Sequence, residues 1–588
     1  MADLTISANP KKEKSTLPVI FFSSGGCNID LNGAIRSSSR IHQRLNRLVI
    51  VRCDVTWYAH RTLLRSVITG SIRGPRKILE TKSQCDVVIV GAGPAGLTAG
   101  YELARNGHQI VVLEQDPQYV GGLARTIQYK GFRFDIGGHR FFSKNQEIES
   151  LWTEWMGERM RVRSRLSRIH YRGRFFKYPL EPFNALRELG PLETISCLLS
   201  YLRASRPAPE PVRSFEDWVV RAFGRRLYET FFRSYTEKVW GIPCAEISAD
   251  WAAQRIRGLS LLSLMRSLIP GQARDGQVAK TLTDHFRYPR RGPGEVWERV
   301  AEIIESKGGE VRMGERVIAI EYKAGRITSI TTESINSRRT YLADNLISTM
   351  PLAHLVSALD PAPPDSIIAS ASGLRYRAFI AVALILDQAE VFPDNWIYIH
   401  DPEVKVARIQ NFKNWSAEMV PDQRLTMLGL EYFCSDRDAL WSSSDEQLIA
   451  LAKDEVAKLG LAESSKVIDG TVVRQAKAYP MYDHDYRAKV ARVRAFLKPA
   501  AANLQVAGRN GMHKYDNQDH AMLTGLMAAR NIMGGCFDPW RVNSDAEYLE
   551  EEEGNEDSNG RMQPGTIDST REVRDLSTLD VTRCARDS

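Results

Sequence analysis

The segment between residues 85 and 115 places the tightest constraint on the fold. Residues 85–90 (CDVVIV) form a run rich in β-branched apolar side chains, and residues 91–96 (GAGPAG) interrupt it. Residues 97–107 then carry apolar side chains at helical spacing and end in a glycine, before a second apolar run at residues 109–115 (QIVVLEQ). This order of strand, turn, helix and strand is the βαβ unit of a parallel sheet. The sequence therefore predicts an α/β protein.

Three glycines in the turn have the spacing of a dinucleotide-binding loop. Gly91 permits the tight turn, Gly93 lets the backbone approach a pyrophosphate, and Gly96 lets the helix pack closely on the strand. The free N–H groups at the start of the helix favour the pyrophosphate anion. Glu114 ends the second strand, 18 residues after Gly96, where a carboxylate can accept hydrogen bonds from ribose hydroxyls. The loop predicts a dinucleotide site and leaves NAD and FAD open.

Length and charge indicate several packing units and a basic extension at the start of the chain. A chain of 588 residues exceeds what one hydrophobic core normally needs, and 43% hydrophobic with 26% charged residues is ordinary globular composition. Between Arg36 and Lys77, ten Lys or Arg residues accompany one acid, whereas the whole chain carries a net charge of +8. The charge therefore belongs to the extension and does not predict nucleic-acid binding. Contact of residues 36–77 with a membrane surface is an open alternative.

The cysteines and the hydropathy pattern exclude other classes of protein. No apolar run approaches the roughly 20 residues that a transmembrane helix needs. The eight cysteines are scattered without a CxxC pair, and no His-rich cluster has metal-ligand spacing. We therefore expect no metal site, no membrane-spanning segment and a reducing, cytoplasmic location.

Two further segments resemble a known superfamily. Residues 121–126 (GGLART) follow the second strand, and Gly508 and Arg509 precede the last predicted helix, at residues 517–533. These segments resemble the additional FAD contacts of the superfamily that includes amine oxidases and protoporphyrinogen oxidase. The resemblance implies that FAD is the cofactor, that Gly121, Gly122, Gly508 and Arg509 contact it, and that Val317 lies against its adenine. It also implies a Rossmann-like FAD-binding domain assembled from discontinuous segments, beside a mixed helical and sheet substrate domain.

Longer motifs resemble the UDP-galactopyranose mutases, particularly their eukaryotic branch. They lie in the same order along the chain: residues 131–144 (GFRFDIGGHRFFSK), 214–255, 286–297 (FRYPRRGPGEVW), 346–350 (LISTM), 408–415 (RIQNFKNW) and 505–534. The resemblance implies a redox-neutral exchange between the pyranose and furanose forms of a nucleotide sugar, in polysaccharide biosynthesis. In that family N5 of reduced FAD attacks the anomeric carbon, and the flavin–sugar adduct opens and recloses as the other ring.

The same resemblance assigns residues to the substrate. Arg255 and Arg408 match two arginines that clamp the substrate diphosphate, a task suited to the planar guanidinium fork. Tyr479 and Tyr515 match tyrosines that hydrogen-bond the diphosphate.

Three further residues match the family near the reacting groups. Trp240 matches a tryptophan beside the sugar, whereas His139 and Gly138 match residues beside the flavin. Trp415 stands where the eukaryotic mutases carry a substrate-contacting tyrosine, a departure within the substrate site.

Two other functions remain open at the level of the sequence. One is an FAD-dependent oxidoreductase, either an oxidase or a desaturase, that uses the flavin as hydride acceptor. The other is a flavin-bound scaffold whose basic arm docks on a membrane or nucleic acid. The chain has no second GxGxxG motif for a nicotinamide domain, so an external reductant such as NAD(P)H is a possible partner beside the small-molecule substrate.

The predicted organisation divides the chain into seven segments. They are a basic, poorly ordered extension (1–84), a first FAD-binding part (85–145), a mainly helical substrate or cap region (146–285), a second FAD-binding part (286–350), a substrate-domain sheet (351–500), a third FAD-binding part (501–540) and an acidic, disordered tail (541–588).

Overall fold

The computed structural model describes residues 79–178, 182–204, 212–249, 285–335 and 337–543. The predictions for residues 1–78, for residues 544–588 and for Arg255 lie outside the described residues. The first strand begins at Leu79, within the segment that the sequence assigned to the extension.

The described ranges contain 19 strands and 15 α-helices. The strands are β1 (Leu79–Val90), β2 (Ile110–Glu114), β3 (Thr126–Tyr129), β4 (Phe132–Asp135), β5 (Met160–Ser164), β6 (Ser167–Tyr171), β7 (Arg174–Lys177), β8 (His285–Pro289), β9 (Glu310–Met313), β10 (Arg316–Lys323), β11 (Arg326–Glu333), β12 (Ser337–Ser348), β13 (Leu359–Asp360), β14 (Tyr376–Leu386), β15 (Trp396–Ile399), β16 (Arg408–Asn411), β17 (Thr426–Cys434), β18 (Val467–Pro480) and β19 (Leu504–Val506). The α-helices are α1 (Pro94–Arg105), α2 (Gln146–Met156), α3 (Pro182–Leu189), α4 (Pro191–Ala204), α5 (Phe215–Phe223), α6 (Arg225–Leu227), α7 (Ser234–Trp240), α8 (Gly294–Ser306), α9 (Leu352–Ala358), α10 (Asp365–Ser372), α11 (Phe412–Trp415), α12 (Ala439–Ser442), α13 (Asp445–Lys458), α14 (Tyr486–Ala500) and α15 (Gln518–Ile532).

The first sheet has eight strands drawn from distant parts of the chain. Its order is β13-β10-β11-β12-β1-β2-β9, with β19 paired to β12. Strand β1 is parallel to both β12 and β2, and every residue of β2 is buried. Burial on both faces explains the continuous apolar runs of these strands. Helices α1, α2, α8 and α15 cover one face through a common core that includes Leu97, Trp152, Trp297 and Leu526.

The second sheet has seven strands in the order β18-β14-β17-β16-β15-β6-β7. Its pairs are antiparallel except β15 with β6. Strands β6 and β7 come from the region 146–285 that the sequence predicted to be mainly helical, and β5 in that region pairs with β8. These strands are only four or five residues long, and β5 and one edge of β6 find their partners more than a hundred residues further along the chain, so local periodicity gave little sign of them.

Helices α5, α6 and α7 pack near the second sheet. Residues Tyr228–Arg233 form a π-helical turn that joins α6 directly to α7. A capping box at Ser214 starts α5, because the Ser214 side chain accepts from Asp217 N and the Asp217 carboxylate accepts from Ser214 N. Within the ranges that the structure describes, no helix has the length and apolarity needed to cross a membrane.

Candidate active site

A cavity of about 1250 Å³ runs between the two sheets. Gly91 follows β1, Glu114 ends β2 and Thr349 follows β12, so the carboxyl ends of three neighbouring parallel strands open into it. This edge of a parallel sheet is the usual place for a ligand. Residues of β16 and β18 in the second sheet line the opposite wall.

Twelve of the sixteen residues that the sequence singled out line this cavity. They are Gly91, Gly93, Glu114, Gly122, Gly138, His139, Val317, Arg408, Tyr479, Gly508, Arg509 and Tyr515. Gly96, Gly121 and Trp240 lie behind the wall, and Arg255 is outside the described residues. The structure therefore brings together residues that are up to 424 positions apart in the chain.

The glycine-rich turn leaves bare backbone facing the cavity. Gly91 has a φ of +100°, and a Cβ there would lie 2.2 Å from Thr349 Oγ1. A Cβ on Gly96 would lie 1.9 Å from the carbonyl oxygen of Gly91, so helix α1 can pack only on a glycine. Gly93, in contrast, has only the Cα of Gly122 near its Cβ position, at 4.0 Å. The missing side chain of Gly93 therefore leaves space for a ligand, whereas that of Gly96 leaves space for the protein backbone.

Glu114 lies at the cavity with both carboxylate oxygens engaged by backbone amides. Oε2 accepts from Ala92 N at 2.8 Å and Oε1 accepts from Asp116 N at 2.9 Å. Burial raises the pKa of Glu114, while these two donors oppose that rise. Each oxygen retains a further lone pair, so the carboxylate can still accept from a ligand hydroxyl.

Buried polar atoms in the cavity wall lack partners among the described residues. They include Gln518 Nε2 and Asn510 Oδ1, although Gln518 Oε1 accepts from Trp297 Nε1 at 3.2 Å. Unpaired buried polar atoms are uncommon in folded proteins and are explained when a ligand satisfies them. The N-terminus of α15, which begins at Gln518, also meets the cavity and favours negative charge there.

Arg408 reaches the cavity with part of its guanidinium already paired. Its Nε and Nη2 lie 2.7 and 2.5 Å from Glu431 Oε2, and the Gln410 side chain donates to Glu431 Oε1. Burial lowers the pKa of Arg408, but the charge of Glu431 and the nearby tyrosines together outweigh burial, and the net change is a rise. Nη1 points towards Gly138, 3.8 Å from the position of a Cβ on that glycine. The Nε–Nη2 edge of the guanidinium therefore faces Glu431, and Nη1 lies beside Gly138, where a ligand in the cavity can reach it.

Tyr479, Tyr515 and Arg509 form one stacked group. The two tyrosine rings are 5.6 Å apart and nearly parallel, at 20°. The Arg509 guanidinium lies over both rings, 5.4 and 4.9 Å from their centres, and its Nε donates to the carbonyl of Asp516 at 2.7 Å. Such stacking fixes the cation and the phenol groups relative to each other.

His139 is a neutral imidazole in this environment. Burial, followed by the charges of Arg509 and Arg408, lowers its pKa to about 3. Its Nδ1 lies 3.1 Å from the carbonyl oxygen of Gly137, so Nδ1 carries the proton and Nε2 retains a lone pair.

Two tryptophans occupy positions different from those expected. Trp240 is 4% exposed, and its ring packs 6.4 Å from that of Tyr515, so it supports the tyrosine from behind. Trp415 donates from Nε1 to Asn395 O at 2.9 Å and stacks on Trp396. Its ring lies under Gly138, outside the cavity, so the substitution of tyrosine by tryptophan falls in the core.

The sequence interpretation missed several wall residues. Gln475 and Lys477 line the cavity with Tyr479, two positions apart along β18, and Lys477 Nζ lies 2.7 Å from His354 Nε2. The period of two could have identified them. Glu431, the partner of Arg408, could also have been identified from the sequence, because it is a charged residue inside an apolar strand.

Comparisons with known proteins agree with this geometry. A family model described as flavin containing amine oxidoreductase matches residues 94–533. The crystal structure of a reduced UDP-galactopyranose mutase is similar at a TM-score of 0.68 and 25% identity, covering 78% of this chain and 99% of that chain.

Curated relatives are similar over shorter stretches. A probable UDP-galactopyranose mutase of Klebsiella pneumoniae is 26% identical over 177 residues, which cover 28% of this chain and 43% of the relative. A probable zeta-carotene desaturase of Synechococcus elongatus is 23% identical over 256 residues, which cover 40% of this chain and 51% of the relative. The chain thus spans about half or less of the length of these relatives.

Proposed function

We propose that this chain, which belongs to the family of flavin containing amine oxidoreductases and is an FAD-dependent enzyme, interconverts the pyranose and furanose forms of a nucleotide sugar. UDP-galactose is the substrate we propose to test first. The likeness to reduced UDP-galactopyranose mutase over 99% of that chain supports this choice.

The observation that carries the proposal is the cationic, phenol-rich end of the cavity. Arg408 Nη1 and the stacked group of Arg509, Tyr479 and Tyr515 all meet there. Guanidinium and phenol donors suit the oxygens of a diphosphate, and charge-assisted bonds are the stronger ones. Neutralising the departing diphosphate is the main requirement when a sugar leaves its nucleotide.

The cofactor end of the cavity fits FAD. The bare backbone at Gly93 and the start of α1 would hold the pyrophosphate, Glu114 the ribose, and the N-terminus of α15 the flavin ring. Reduced FAD supplies a nucleophilic nitrogen and a redox-neutral route when it is bound. The carboxylate at Glu114 also disfavours a ligand with a 2′-phosphate.

His139 can contribute to substrate binding without adding a charge to the site. As a neutral imidazole it can accept a hydrogen bond at Nε2 from a sugar hydroxyl, while Arg408 and Arg509 remain the cations of the site. The buried wall at Trp240 and Trp415 keeps the tyrosines and Gly138 in place and limits the access of water.

A second candidate function is an oxidoreductase that removes hydride from an uncharged substrate. The pairing of Arg408 with Glu431 favours it, because the carboxylate cancels much of the charge that a diphosphate would need. The similarity to the desaturase over 256 residues supports the same alternative.

The experiment compares oxidised and dithionite-reduced protein on UDP-galactopyranose. We expect UDP-galactofuranose only from reduced protein, with no stoichiometric use of reductant. Arg408→Lys should retain FAD but lose most of the conversion, whereas Arg424→Lys, a change on the exposed surface, should behave as wild type. Failure of reduced protein to form UDP-galactofuranose, together with peroxide or reduced acceptor formed when oxidised protein turns over an uncharged substrate, would favour the second candidate instead.

A further inference from the structure

Lys238 is a buried ammonium group whose hydrogen-bond partners in the described residues are all backbone carbonyls. Its Nζ donates to Ile399 O at 3.2 Å, Asp401 O at 2.8 Å and Val406 O at 3.0 Å. An ammonium group has three donor hydrogens, so all of them are used. Burial lowers the pKa of Lys238 to about 8. The side chain thus joins α7 to the connection between β15 and β16, just before Arg408.

A second buried cation holds the carbonyl groups of the last turn of α7. Arg377 on β14 donates from Nε to Val239 O at 3.0 Å and from Nη2 to Lys238 O at 3.5 Å. These are carbonyls of the last helical turn, where a positive charge is favourable. Gly241, with a φ of +66°, makes the approach possible because a Cβ there would lie 2.2 Å from Arg377 Nη1.

Two aromatic residues of α7 lie towards the candidate site, one on the side of Arg408 and the other on the side of Tyr515. Tyr235 stacks on His400 with ring centres 4.6 Å apart at 12°, and burial raises its pKa against the nearby charge of Arg408. Trp240, at the opposite end, packs against Tyr515. Tyr235 also packs edge-on against Tyr398, the cross-strand partner of Arg408, with ring centres 5.8 Å apart, so a shift of α7 would disturb contacts that lead to Arg408 and to Tyr515 together.

The π-helical turn before α7 sets the face that the helix presents. A wider turn changes the angular register of all the residues that follow it, and such turns often occur at functional sites. Ser234, the first residue after the turn, donates from Oγ to His400 O at 3.1 Å. Ser234, Tyr235 and Lys238 consequently all face the end of β15 and the connection that follows it.

We propose that Lys238 and Arg377 are positioning residues that fix α7, so that Tyr235 holds Arg408 through Tyr398 and Trp240 holds Tyr515 in the arrangement that binds a nucleoside diphosphate. This inference rests on the proposed function of the cavity. Neither cation lines the cavity, so each acts through the residues of the helix.

The test measures the affinity of FAD-loaded protein for UDP by titration calorimetry. We expect Lys238→Met to weaken UDP binding by about tenfold or more while FAD content is unchanged, because small displacements of binding groups are costly. The control is Lys458→Met, which removes an exposed lysine that contacts Glu403 in the same connection and should change affinity by less than about twofold. Should Lys238→Met not retain FAD, Lys238→Gln keeps two donor hydrogens and takes its place, with the same direction expected.

A double-mutant cycle separates positioning from a general loss of stability. If Lys238 acts through Arg408, adding Lys238→Met to Arg408→Lys should cause much less loss of UDP affinity than it causes alone. Additive losses, or wild-type affinity in Lys238→Met, would overturn the inference and leave the proposed function intact. Wild-type protein that does not bind UDP would overturn both.

Discussion

Arg408 enters the cavity with the Nε–Nη2 edge of its guanidinium held by the buried carboxylate of Glu431. Glu431 is 1% exposed and accepts from Gln410 as well, so its charge is stabilised by hydrogen bonds as well as by Arg408. Both members of such a pair lose their hydration, and the loss is compensated only while both are present. At the scale of single residues, this pair determines which edge of the Arg408 guanidinium is already paired and leaves Nη1 towards the ligand space beside Gly138.

Replacing Glu431 by glutamine should destabilise the protein, because it leaves a buried guanidinium without a counter-charge. We expect Glu431→Gln to lower the free energy of unfolding by about 3 kcal/mol, the lower end for a broken buried pair. Urea denaturation of the FAD-loaded protein measures this change. Glu418→Gln breaks the partly exposed pair with Arg290 and should cost no more than about 1 kcal/mol. Equal effects of the two changes would show that the Arg408–Glu431 pair is not a stabilising contact.

Among the elements, the β1–α1–β2 unit uses its glycines for two different purposes. Gly96 allows contact between α1 and the backbone of Gly91, whereas Gly93 is open towards the cavity. The unit thus separates a packing requirement from a binding requirement within one turn of chain.

Two alanine substitutions should separate these requirements. Gly93 has an ordinary φ of −81° and room for a Cβ. We therefore expect Gly93→Ala to change the free energy of unfolding of the FAD-free protein by less than about 1 kcal/mol and to lower the affinity for FAD by at least about tenfold. Gly96→Ala should destabilise the FAD-free protein by about 3 kcal/mol, since its Cβ meets a carbonyl oxygen. Thermal unfolding and FAD titration of both variants check the prediction, which fails if both variants lose stability equally.

Across the whole molecule, buried imidazoles recur in regions far apart in the chain. Burial lowers the pKa of His139 and His400 to about 3 and that of His513 to about 4, from an ordinary value near 6.5. At these three groups the unfolded chain therefore binds more protons than the folded protein at mildly acidic pH. The stability that these groups contribute is fully present above pH 6.5 and is lost as the pH falls towards the folded pKa values.

The contribution of these three histidines to the free energy of unfolding should consequently fall on acidification. We expect each buried histidine to contribute about 1.4 kcal/mol per pH unit to the slope of the unfolding free energy against pH, once the pH is well below 6.5. Urea denaturation between pH 7.5 and 5 gives the slope, and His400→Gln should reduce it by that amount. His484→Gln, a change at an exposed position, should leave it unaltered. An unchanged slope in His400→Gln would contradict the prediction.

The sequence alone determined what depends on neighbouring residues in the chain. The turn at residues 91–96, the carboxylate at Glu114 and the last helix, expected at residues 517–533 and found at Gln518–Ile532, follow from local glycine spacing and apolar period. Fold class and cofactor rest on the same short-range pattern and on colinear motifs, and the comparisons confirm both.

Only the tertiary structure decided which distant side chains meet. Arg408 and Glu431 are neighbours because β16 and β17 pair in one register, and a shift of one residue would turn Glu431 to the other face. Trp240 packs against Tyr515, and Trp415 lies under Gly138, because the helices that carry these tryptophans pack on distant segments of the chain. No local periodicity in the sequence predicts the π-helical turn at Tyr228–Arg233. Such contacts depend on register and packing between remote segments, and residue spacing along the chain carries little information about either.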